Sequence, residues 1–220
     1  MVGLPLELLI IAALLKGSFK RFPFVLVYTV ALFLSTVAEI PAYTAYFSGI
    51  QLSHTRAFYF WLSEAILEPL IFCVVVGLIY QATARAERRR IVRAAFSVGP
   101  VIFAVVSFLV HYDKHEVVGR WMTLWVRDLS FCSTILDLAL WTLLIAAKKK
   151  DHQLLMLSGA LGILFTGEAI GHSLRQISPA TVLPGDILIM LANIVCLYTW
   201  WQALRAAPVK RGAAVGTGPQ

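Results

Sequence analysis

Residues 57–93 read AFYFWLSEAILEPLIFCVVVGLIYQATARAERRRIVR, an apolar run that ends abruptly in a cluster of arginines. From Ala57 to Gln81 the charges are Glu64 and Glu68 alone. A bilayer core of about 30 Å calls for roughly 17–25 such residues in a helix. The run is too long for a barrel strand and does not alternate strictly, and within lipid only helices or closed barrels satisfy the backbone. The stretch predicts a membrane-spanning helix followed by a basic loop.

The same grammar repeats along the chain. Apolar segments run at Val2–Leu15, Phe22–Phe47, Ala57–Gln81, Ala94–His111, Trp121–Ala147, Leu154–Leu174 and Asp186–Ala206. The expected fold is therefore all-α, a polytopic bundle of seven transmembrane helices over residues 1–207. The first segment is short, so tilt or snorkelling is expected at its ends. Residues 208–220, rich in Gly and Ala, are expected to form a disordered cytoplasmic tail. Composition agrees: of 220 residues 59% are hydrophobic and 14% charged, against about 45–50% and about 25% in soluble domains.

Orientation follows from the loops. Lys16, Lys20 and Arg21, then Arg85, Arg88, Arg89, Arg90 and Arg93, then Lys148 to Lys150, and finally Arg205, Lys210 and Arg211 fall on alternate loops. The positive-inside rule makes that side cytoplasmic and leaves the N-terminus outside. Such basic loops also meet anionic membrane lipids favourably, and the loop Arg85–Arg93 is a candidate surface for a cytoplasmic partner. Because the net charge of +7 sits at the ends of apolar segments, it indicates orientation, not nucleic-acid binding. Lys16, Lys20 and Arg21 follow the first segment where a signal peptide carries its charge in front, so this segment is expected to stay and span. Cys73, Cys132 and Cys196 show no paired spacing and are expected to be small buried hydrophobes.

Leu6-Glu7-Leu8 aligns with Leu136-Asp137-Leu138, and Ala31-Leu32 and Glu39 with Ala160-Leu161 and Glu168. These pairs suggest a three-plus-one-plus-three parallel repeat with the fourth helix as linker.

Acids inside the apolar segments are the main functional clue. Glu39, Glu64, Glu68, Asp137 and Glu168 all fall within expected spans, where ionisable groups usually face a bundle interior or a watery cavity. At 100° per residue, Arg127, Ser130, Thr134, Asp137 and Trp141 share one stripe, Glu168, His172 and Arg175 another, and Asp186, Asn193 and Trp200 a third. These stripes predict a polar cavity that opens outward. Five carboxyls facing Arg127 leave an excess of negative charge unless some are protonated or a cation neutralises them. The cation-binding candidates are thus Glu39, Glu64, Glu68, Arg127, Asp137, Glu168, His172 and Asn193. Interhelical hydrogen-bond glue is the structural alternative. His111, Asp113 and His115 have a spacing that could suit one divalent ion, although a solvated polar loop is the favoured reading. Ser158-x-x-x-Gly162 and Gly167-x-x-x-Gly171 permit close helix approach.

No phosphate-binding glycine loop, nucleophile elbow or H-E-x-x-H helix is present. The seventh segment has no lysine, which excludes a retinal Schiff base like that of microbial rhodopsins. The run Tyr59-Phe60-Trp61-Leu62-Ser63-Glu64, with the basic loop after it, resembles small seven-helix proteins of the bacterial inner membrane. The layout is also similar to the seven-helix sensory regions of bacterial histidine kinases. The resemblance implies a fold and a location but no activity. A non-enzymatic sensor for a proton, cation or small cationic solute is the leading expectation, ahead of a small-solute or ion transporter and an intramembrane metalloenzyme.

Overall fold

The computed structural model describes residues 3–47, 53–83, 90–112, 118–146 and 151–205. Among them the chain forms seven α-helices and no strand. They are α1 (Leu4–Ala13), α2 (Pro23–Phe47), α3 (Ser53–Thr83), α4 (Arg90–His111), α5 (Val118–Ala146), α6 (His152–Ile177) and α7 (Val182–Arg205). Four stretches, Ala65–Thr83, Leu124–Ala146, His152–Arg175 and Val182–Arg205, are long and apolar enough to cross a membrane, and Pro23–Ala38 and Val98–His111 are shorter apolar helices. Arg90 already opens α4, so the last part of the basic segment, from Arg90 to Arg93, is helical; residues 84–89 and the tail lie outside the described residues.

α1 continues into a π-helical turn, Leu14–Ser18, that ends where Gly17 takes φ +148°. Only glycine adopts that conformation without strain. With its extension α1 covers about 22 Å at 1.5 Å per residue, short of a bilayer core. α2, α3 and α4 each carry an internal proline, Pro41, Pro69 and Pro100.

Neighbours run in a closed order: α1 on α2, α2 on α3, α3 on α5, α5 on α6, α6 on α7, and α7 back on α1. α4 lies outside this ring against α3 and α5, and α3 also meets α6 across it. The apolar core gathers inside the ring, from Ile10 and Leu14 through Val74, Val75 and Leu78 to Leu157, Leu161 and Trp200. The outer surface is apolar as well: Val101, Ile102, Leu109, Val110, Leu138 and Leu183 are more than half exposed. An apolar interior clothed in an apolar exterior suits lipid far better than water.

Glycine decides the tightest packing. A Cβ on Gly167 would collide with that of Ala192, and one on Gly171 with Ile189 and the Gly185 carbonyl. α6 and α7 therefore touch backbone to backbone, the close approach expected of Gly167-x-x-x-Gly171. The other small pair serves a different neighbour, since Ser158 and Gly162 both adjoin Asp137 of α5.

One end of the bundle is clasped by polar side chains. Arg21 donates to Asp151 at 2.5 Å and to Gln153 at 2.7 Å, while its carbonyl accepts from Gln81. Gln153 donates in turn to the Ala203 carbonyl, and Asp151 caps α6 through the Leu154 amide. Five helix ends thus meet at this face. Arg21→Ala removes two of these bonds at a half-exposed site. A loss of about 1 kcal/mol is expected, read as a lower melting temperature in detergent, with Arg21→Lys intermediate.

At the opposite end, Ser107 donates to Asp128 at 2.9 Å and the Trp125 indole to the Ala104 carbonyl at 3.1 Å, fixing α4 on α5. Arg175 pairs with Asp186 across the α6–α7 connection. There a 3-10 turn, Pro179–Thr181, is closed by a reciprocal Ser178–Thr181 cap.

Candidate functional site

Inside the ring, Tyr28 of α2 and Trp200 of α7 meet edge to face with centroids 5.8 Å apart. Trp200 is wholly buried, and its indole donates to the Leu157 carbonyl at 3.0 Å. Three carboxyls from three other helices act electrostatically on Tyr28: Glu7 of α1, Glu68 of α3 and Glu168 of α6. Glu168 acts on Cys196 of α7 too, as does Asp137.

Depth separates the acids from the aromatic pair. Tyr28 stands about 8 Å from the start of α2, at the clasped end, by helical rise. On the same count Glu7 is about 17 Å from Ser18, Glu68 about 23 Å from Thr83 and Glu168 about 24 Å from His152. The carboxyls therefore lie toward the far end, with Tyr28 and Trp200 beneath them.

Glu7 is 3% exposed. Its Oε1 accepts from the Thr36 hydroxyl at 3.5 Å, and its buried Oε2 has no hydrogen-bond partner. Glu7 is not among the acids expected at depth, standing only five residues into the short first segment. Its alignment with Asp137 was the available signal. Asp137 is 2% exposed and accepts from the Ser158 hydroxyl at 2.7 Å. Both aligned acids are thus held by a hydroxyl from the helix that follows.

The remaining sequence candidates scatter. Glu39 and Glu64 belong to α2 and α3, and their side chains lie outside the described residues. Glu68 is half-buried with Oε2 in the interior. Arg127 is 70% exposed, and a neighbouring carboxylate, Asp128, stands 3.9 Å away on the same helix. His172 is exposed near the Arg175–Asp186 pair. Asn193 is half-buried on α7. Asp113 and His115 lie outside the described residues; His111 is engaged by the Ser107 carbonyl at 2.9 Å and by Asp128 at 3.7 Å. No group of three His, Cys, Asp or Glu side chains among the described residues is placed to hold a metal ion. Cys196 is buried, while Cys73 and Cys132 are half-buried, all as free thiols. Trp141, on the same expected stripe as Asp137, is 41% exposed.

Asp137 also reaches the bundle's flank. α6 is set back between α5 and α7, leaving an open groove of about 600 Å³ lined by all three helices. Its floor includes Gly159, Gly162 and Gly167, and its lining is apolar apart from Asp137 and Thr166.

No protein-family model, curated protein or solved structure matches this chain.

Proposed function

We propose that the chain is a seven-span protein of the bacterial inner membrane that takes up a proton or small cation at its interior carboxyls and acts as a non-enzymatic sensor. The electrostatic action of Glu7, Glu68 and Glu168, from three helices, on one buried phenol, Tyr28, carries this reading. Ionised carboxyls brought together in an apolar interior repel one another, and uptake of positive charge relieves that repulsion. The bare Oε2 of Glu7 offers one place for it.

The clasp at Arg21, Gln81, Asp151 and Ala203 supports the expected orientation, because it brings the ends next to all four basic segments together. That face is the cytoplasmic one in this reading, and the segment Arg85–Arg93, which follows α3 in the chain, is the surface for a partner that carries the output.

A sensor is favoured over a transporter by the inner half of the bundle. There the core is built mostly of apolar side chains with Tyr28, Trp200, Val75, Leu78 and Leu157 among them, and the buried hydroxyls of Thr29 and Ser158 are already committed to the Val25 carbonyl and to Asp137. The transporter reading draws on one observation, the order of the ring. Exchanging α1, α2 and α3 for α5, α6 and α7 reproduces the same neighbours with α4 as linker, as a parallel repeat does.

The Glu68→Gln/Glu168→Gln double variant tests the site. The parent should gain thermal stability in detergent with falling pH or with one member of a cation panel, and the variant should lose most of that gain. An unchanged gain in the variant removes the site. Uptake into sealed liposomes then separates the roles: a sensor gives none above empty vesicles.

A further inference from the structure

We propose that the flank groove between α5, α6 and α7 binds a hydrophobic molecule carrying one basic nitrogen, a lipophilic amine that enters from the surrounding membrane. The membrane setting rests on the reading above, whereas the site uses Asp137 and not Glu7, Glu68 or Glu168.

The groove has the size and make-up of a small-molecule site. Its volume of about 600 Å³ falls within the usual range of roughly 300–1,000 Å³, and such sites are mostly apolar with few polar groups. Missing side chains at Gly159 and Gly162 help to open the recess, and Trp141, Ile163 and Leu191, each more than two-fifths exposed, rise around it. The Thr166 hydroxyl is already committed to the Gly162 carbonyl at 2.7 Å.

Asp137 is the chemical handle. Ser158 holds its Oδ1 at 2.7 Å. Its Oδ2 turns toward Gly162, 3.3 Å from where a Cβ would stand, so any larger residue there would crowd this oxygen. A carboxyl 98% hidden by the bundle, with one oxygen tied and the other at the groove floor, lacks a donor on the open side. An ammonium or protonated amine supplies it, and the Trp141 indole in the same lining adds an attraction for cations.

Depth and length exclude the obvious competitors. Asp137 lies nine residues, about 14 Å, from the end of α5 at Ala146, beyond the reach of a phospholipid headgroup. An acyl chain brings no donor to the carboxyl. Along α6 the lining runs from Gly159 to Ile170, about 16 Å, half the length of a spanning helix.

The probe is tritiated dodecylamine, with dodecanol as the neutral control of equal length, on the full chain in phosphatidylcholine nanodiscs. The parent should bind the amine saturably above empty nanodiscs and at least ten-fold more tightly than the alcohol. Asp137→Asn, which keeps an acceptor for Ser158, should weaken the amine at least ten-fold and leave the alcohol unchanged. Thr166→Phe narrows the groove without touching the carboxyl and should weaken both probes, and Glu68→Gln/Glu168→Gln should change neither. Equal affinity for amine and alcohol in the parent, or full amine affinity in either groove variant, overturns the proposal. So does loss of amine binding in the Glu68/Glu168 variant, which would move the amine inside the ring. Preference for a polyleucine helix with one central lysine would assign the groove to a partner helix and overturn it too.

Discussion

Gly171→Leu is expected to prevent α6 and α7 from docking, the largest single-residue effect foreseen for this protein. A Cβ at that position already meets Ile189 and the Gly185 carbonyl, and the latter is backbone that cannot swing aside. In return, Gly185 has the Gly171 carbonyl 2.7 Å from its own Cβ position. The two glycines stand back to back, so relief requires the helices to part. Overpacking in a tolerant core costs about 1–3 kcal/mol; here a whole crossing separates, and the cost should exceed that range. The outcome to look for is aggregation in mild detergent, or a melting temperature lowered by well over ten degrees. Gly99→Leu, where an added Cβ meets nothing within 4 Å, is the control that should melt like the parent. Normal melting of Gly171→Leu would mean that α6 and α7 do not cross at these glycines.

Trp200→Ala is the second. The indole is fully buried, holds the edge of Tyr28 and donates to the Leu157 carbonyl. Emptying such a volume costs roughly 3–5 kcal/mol where the surroundings cannot collapse. Trp200→Phe keeps most of the ring but loses the donor, and should cost about 1 kcal/mol. The pair separates packing from hydrogen bonding. If both variants lose stability equally, the indole N–H matters more than the volume around it. Because Tyr28 loses its support in Trp200→Ala, the response to pH or cations at the interior carboxyls should weaken in that variant and survive in Trp200→Phe.

The positions of the helices were legible to within a few residues. The expected Trp121–Ala147 became Val118–Ala146, and Phe22–Phe47 became Pro23–Phe47. The physical reason is local: an uninterrupted apolar run between charged ends has few other ways to satisfy its backbone. The close approach at Gly167 and Gly171 was legible for a similar reason, since an absent side chain can be read without knowing its neighbour.

Side-chain direction was less legible. Arg127, Asp137 and Trp141 share a stripe on α5, yet one is exposed, one buried and one forms part of a flank groove. A stripe fixes which residues face together, not which way the helix is turned about its axis. That rotation follows from α5 packing on α3, α4 and α6 at once. The core-facing row proved to be Leu129, Ser133, Leu136, Leu140 and Leu144, beside the polar one.

The amino-acid order alone determined an all-helical, lipid-suited chain and the acids it carries at depth, because hydrophobic length and charge placement are properties of single segments. Tertiary structure alone decided that Glu7, Glu68 and Glu168 share one interior while Asp137 also reaches a groove on the flank. Those relations exist only between helices, and closing six of them into a ring selects one rotation for each.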